Sequence, residues 1–103
     1  MKQITLITLL GSLSVLHAGD WTQFRGPQGN GVSSETGLPT TLSEKNLKWT
    51  VALPGRGLSG ALVLGENILV SCSSGTTQNR LHILCLNAKD GSLKWQRQFW
   101  ATG

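Results

Sequence analysis

Apolar and polar positions begin to alternate at Leu47. Leu47, Trp49, Val51 and Leu53 are separated by Lys48, Thr50 and Ala52, the period-two pattern of a half-covered strand. Pro54-Gly55-Arg56-Gly57 ends that run. Downstream, the pattern predicts an antiparallel meander of four strands. Ala61–Leu64 is short and apolar, and Gly65-Glu66-Asn67 turns it into Ile68–Cys72. Leu81–Asn87 is apolar on both faces apart from His82, as expected of a strand covered on both sides. Asp90-Gly91 then supplies residues that tolerate positive φ at a hairpin turn. Beyond it, Leu93, Trp95 and Phe99 alternate with Lys94, Gln96 and Gln98 across Ser92–Phe99. No window carries a helical period, so the expected class is all-β.

The chain before Leu47 reads differently. Lys2 followed by the apolar run Ile4 to Leu16, and Leu16-His17-Ala18 before Gly19, has the form of a cleaved signal peptide over residues 1–18. The run is shorter than the ~20 apolar residues a membrane span needs. The expectation is an exported protein of the periplasm or cell envelope, with no transmembrane anchor after cleavage. Residues 19–46 are rich in Gly, Ser, Thr and Pro and form an irregular lead-in, yet Trp21 and Phe24 cluster with Arg25. Disordered linkers seldom carry such a cluster, so both rings are expected to anchor the lead-in to the body. Gly26, Gly29 and Gly31 lack the preceding strand and following helix that a dinucleotide fingerprint requires, and read as backbone turns.

Composition narrows the chemistry. The 13 glycines and the charged fraction of only 14% suit short strands and tight turns. The formal charge of +4 comes from basic residues placed singly, without the patch or stripe that nucleic acid requires. Cys72 and Cys85 invite a disulfide in an exported chain. However, a hairpin closed over Ser73 to Arg80 sets Cys72 against Leu81 or His82, and Cys85 against Ile68 or Leu69. The sulfurs are then too far apart to bond, and two buried free thiols are expected. His82 is expected to be a packed side chain. Cys72, His82 and Cys85 do not make a zinc site, because strand parity puts His82 and Cys85 on opposite faces. Asp90 is explained by its turn, and no second carboxylate near it suggests an acid–base pair.

Leu47-Lys48-Trp49 recurs as Leu93-Lys94-Trp95, an interval of 46 residues and close to the roughly 40–50 that one propeller blade occupies. The stretch Leu84-x-Leu86-Asn87-x-x-Asp90-Gly91-x-x-x-Trp95 resembles the blade signature of PQQ-like β-propeller repeat proteins. Asn87 stands where that signature usually has Asp, which keeps a side-chain acceptor for the turn. Trp21-x-x-Phe24-Arg25-Gly26-Pro27 through Gly31-Val32-Ser33, and Trp49-x-x-x-Leu53-Pro54-Gly55 with Gly57-x-Ser59, are similar to segments of exported bacterial members of that family, planctomycete-like in type.

The resemblance implies one four-stranded antiparallel blade within residues 47–103. It makes Leu47–Leu53 the outer strand of a neighbouring blade, and the chain the N-terminal part of a longer propeller. Trp49, Leu86, Asn87, Asp90, Gly91 and Trp95 are the repeat-motif residues, with the two Trp rings packing between blades. The family offers two functions. One is a non-catalytic scaffold or binding protein with a protein or small ligand as partner, and no cofactor is evident for it. The alternative is a PQQ-dependent quinoprotein dehydrogenase holding PQQ over calcium. Such enzymes carry an adjacent Cys-Cys pair and a catalytic Asp in later blades; this segment has no Cys-Cys, and the first reading is favoured.

Overall fold

The computed structural model describes residues 19–57 and 59–102; the expected leader over 1–18 lies outside them. The protein is all-β, with one open four-stranded antiparallel sheet and, among the described residues, a single 3-10 turn at Glu44–Asn46. The strands are β1 (Leu62–Leu64), β2 (Asn67–Ser74), β3 (Arg80–Asn87) and β4 (Leu93–Trp100), in the order β1-β2-β3-β4. Each connection is a tight turn, so every strand lies beside its sequence neighbour and the meander follows directly from turn chemistry. The meander has the expected order, with β2 and β3 longer than expected, β1 beginning one residue later and β4 shifted by one residue toward the C-terminus.

The register decides which residues share a face. Cys72 lies opposite His82, and Leu69 opposite Cys85. With β4 the pairs are His82 with Gln98, Leu84 with Gln96, Ile83 with Arg97, Leu81 with Phe99 and Cys85 with Trp95. The ladder slips between Cys85 and Leu86, where Leu86 faces Leu93 and Lys94 is left as the extra residue of a bulge. Cys72 and Cys85 are therefore on opposite faces, both buried and both free thiols.

One face is covered by a separate segment of chain; on the other, Cys85 is buried while Leu81, Ile83, Trp95 and Phe99 are exposed. Cys72, Leu84 and Leu86 form the buried cluster of the covered face, with Ile68 and Val70 from β2 and Val51 and Leu53 packed against them. The segment around Val51 and Leu53 is not the strand that its alternation predicts, because it makes no ladder with any described strand. It crosses the sheet as an extended lid. Alternation still serves: one side of the lid meets the core and the other meets water. Where this lid ends, Arg56 exchanges both backbone hydrogen bonds with Ser73 at 2.8 Å. Gly55 makes that approach possible, since a Cβ there would stand 2.0 Å from the Ser73 carbonyl oxygen.

The lead-in is anchored by one of the two predicted aromatics. Trp21 exchanges both backbone bonds with Val63 at 2.8 Å, Asp20 Oδ1 accepts from the Gly65 N–H at 2.7 Å, and the Trp21 ring lies against Gly26. Phe24 is not an anchor. It sits at the tip of the turn that folds Gly26 back onto Trp21, and it is 84% exposed. The double-sided apolar pattern of β3 also meets a different outcome. His82, Leu84 and Leu86 are buried under the lid, whereas Leu81 and Ile83 on the other face are exposed.

Candidate functional site

The repeat-motif residues fall into one connected unit and one outlier. Asn87 opens the β3–β4 turn. Its carbonyl accepts from the Gly91 N–H at 2.8 Å, its N–H donates to the Ser92 carbonyl at 2.8 Å, and its Oδ1 accepts from the Lys89 N–H at 2.9 Å. Asp90 Oδ1 accepts from the Ser92 N–H at 2.9 Å and the Ser92 hydroxyl at 2.7 Å. Those two Ser92 donors, the hydroxyl first, hold the Asp90 carboxyl below the usual aspartate range. Gly91 sits at φ +74°, and Trp49 lies directly over it. The Trp49 indole N–H donates to the Ala88 carbonyl at 3.0 Å. Leu86 is buried at the end of β3. Trp49, Leu86, Asn87, Asp90 and Gly91 thus form a turn with a Trp seated on it. Trp95 is the outlier, half exposed on the other face opposite Cys85.

His82 is the one buried polar side chain among the described residues and has a partner on each ring nitrogen. The Gln96 amide nitrogen lies 2.9 Å from Nδ1, and Ser74 Oγ lies 2.8 Å from Nε2. A neutral imidazole satisfies both contacts, accepting at one ring nitrogen and donating from the other. The trio is a satisfied polar clasp joining β2, β3 and β4, in keeping with the packed role expected of His82. Sequence spacing did not point to Ser74 or Gln96; the register brings them to one face.

The uncovered face has a different character. Leu62, Leu69, Leu81, Ile83, Trp95 and Phe99 share it with Arg97, with Lys94 where it reaches Asn67, and with the buried Cys85, and Leu81, Ile83, Trp95 and Phe99 are exposed. A groove of about 380 Å³ runs past Ser71, Leu81, Ile83 and Phe99. Charge elsewhere is sparse and local. Lys89 and Glu66 pair at 2.9 Å on the surface, which raises the Lys89 pKa, first through the hydrogen bond and then through the charge itself. Lys94 Nζ rests on Asn67 Oδ1 at 2.6 Å. Among the described residues no group of three His, Cys, Asp or Glu side chains could hold a metal ion, and no helix is long and apolar enough to cross a membrane.

No family model matches the chain, and no curated protein or solved structure matches it. The described residues present an apolar sheet face with Lys94 and Arg97 on the strand at its edge, and a turn on which Trp49 is seated.

Proposed function

We propose that the sheet is one blade of a PQQ-like β-propeller and that the protein is a non-catalytic binding scaffold of the cell envelope. The observation that carries this reading is the uncovered face. A sheet that leaves Leu81, Ile83, Trp95 and Phe99 in water on one side, while its other side is closed by a lid, is built to receive a second sheet about 10 Å away. The Trp49-on-Gly91 seat supports the same reading, because it packs the Trp of the upstream Leu-Lys-Trp repeat onto the Asp-Gly turn of the sheet. The polar clasp at His82 supports the non-catalytic part: its hydrogen bonds are spent on joining strands.

Two measurements test it. The first reads the genomic DNA beyond the Gly103 codon, where several further Asp-Gly-x-x-x-Trp repeats are expected. The second melts the 103-residue chain by circular dichroism with an environment-sensitive dye present. An uncovered apolar face predicts dye binding and a broad transition, since repeat architectures gather a stable core only over about three or more units. A sharp two-state melt of a dye-free monomer, with no repeats downstream, overturns the reading. An adjacent Cys-Cys pair with calcium-type carboxylates in the continuing frame transfers it to a quinoprotein dehydrogenase.

A further inference from the structure

The two edges of the sheet are finished in opposite ways. On the β1–β2 side, Trp21 exchanges both backbone bonds with Val63, and Arg56 does the same with Ser73. Between them, Ser59 Oγ accepts from the Ser71 N–H at 3.3 Å and donates to the Ser71 carbonyl at 3.2 Å, so a side chain takes the place of a strand. Three separate pieces of irregular chain close this edge. On the β4 side no described residue pairs with the outer backbone. The Ala101 N–H bonds the Asn79 carbonyl, and this sets the alternation along β4. Gln96, Gln98 and Trp100 consequently direct both N–H and C=O away from β3. They form a ready template of roughly 14 Å for one more strand.

The side chains on that edge say what kind of strand fits. Neither β3 nor β4 contains an Asp or Glu, and β4 carries Lys94 and Arg97. Arg80 is occupied over the Trp100 ring at 4.8 Å, and Lys94 by Asn67. Arg97 has no hydrogen-bond or ion-pair partner among the described residues and projects from the open face between Trp95 and Phe99. In an added antiparallel strand, the residue facing Arg97 is a close, non-hydrogen-bonded neighbour on that same face, and residues two positions either side face the two aromatic rings.

A second copy of this chain is a poor occupant. Pairing β4 with another β4 brings four cations together without a carboxylate, and Lys or Arg on an edge is a known defence against such pairing.

We propose that the free edge of β4 captures an extended segment of another protein by strand addition. The segment has an acidic residue facing Arg97 and apolar residues two positions to each side, facing Trp95 and Phe99. The proposal deepens the binding-scaffold reading and rests on it, but it does not require that the sheet be a propeller blade.

The test immobilises the full chain at low density and titrates a capped seven-residue peptide, Thr-Val-Thr-Glu-Thr-Val-Thr. Saturable binding is expected, at least tenfold weaker for the peptide with Lys in place of Glu. Binding should be lost when the two threonines flanking Glu are N-methylated, since these face Gln96 and Gln98. Arg97→Glu should reverse the preference between the acidic and basic peptides. The N-methyl arm leaves the protein unaltered, so it stands even if that variant does not fold. Equal binding of the N-methylated peptide, or equal binding of both charges, overturns the proposal. So does a concentration-dependent dimer that excludes the peptide, which assigns the edge to a second copy. Peptide capture by a chain with no downstream repeats separates this inference from the blade reading, which alone would then fail.

Discussion

Replacing Gly91 by alanine isolates the contact on which the signature turn depends. A Cβ at this position would lie 2.7 and 2.8 Å from Trp49 ring carbons and 2.9 Å from Val51 Cγ2. It would also force an L side chain to hold φ +74°. The backbone cost is about 1–2 kcal/mol. The steric cost is separate: the indole must retreat by a few tenths of an ångström or more. It then weakens its hydrogen bond to the Ala88 carbonyl, which contributes about 1 kcal/mol, together with dispersion contacts of about 0.1–0.2 kcal/mol each.

The expected total for Gly91→Ala is about 2–4 kcal/mol of local stability. Hydrogen exchange with mass-spectrometric readout of the turn reports it directly, because the Gly91 and Asn87 amides are both bonded within the turn. At tenfold per 1.4 kcal/mol, their protection should fall by roughly 30-fold to several hundred-fold. Repeated in a Trp49→Ala background, the same substitution should cost less, the backbone share of about 1–2 kcal/mol and whatever the remaining approach to Val51 adds. Gly91→Asn separates the two causes, since Asn tolerates positive φ yet is bulkier at Trp49. The same loss of protection from Gly91→Ala with and without Trp49 would refute the idea that the ring sits on this glycine.

Three other outcomes follow from the same geometry. His82→Leu leaves the Ser74 hydroxyl and the Gln96 amide without their partner and should destabilise the sheet by about 1–3 kcal/mol in chemical denaturation; an unchanged midpoint would show that the clasp is idle. Because the Asp90 carboxyl is held below its ordinary pKa by Ser92, its contribution to the turn is present above the unfolded aspartate pKa and is lost as pH falls through the lower, folded one. Ser92 amide protection should therefore hold steady on acidification until that depressed range is reached, and Ser92→Ala should raise the carboxyl midpoint seen by NMR. Finally, secreted material should begin at or within a few residues of Gly19, and recovery of an intact Met1 form from the cytoplasm would count against export.

Local chemistry made much of this protein readable without coordinates. Period-two alternation and the Gly65 and Asp90-Gly91 turns specify a meander, because each acts within a few residues. Counting outward from the loop between Ser73 and Arg80 narrowed Cys72 to Leu81 or His82 and Cys85 to Ile68 or Leu69, and the folded hairpin takes His82 and Leu69. What no short window contains is the decision about partners. Val51 and Leu53 alternate as a strand does, but without an adjacent backbone the segment becomes a lid over Leu84 and Leu86. Trp21 and Phe24 have similar sequence surroundings, and only the turn around Gly26 partly covers one ring and exposes the other. Ser74 and Gln96 become partners of His82 only once three strands are aligned. The two sheet edges likewise differ by contacts from Trp21, Arg56 and Ser59, residues remote in sequence from β2's end and invisible to any periodicity. Pattern along the chain determined the strands and turns, while the lid, the open face and the free edge came from which distant segments the folded chain could bring within hydrogen-bonding reach.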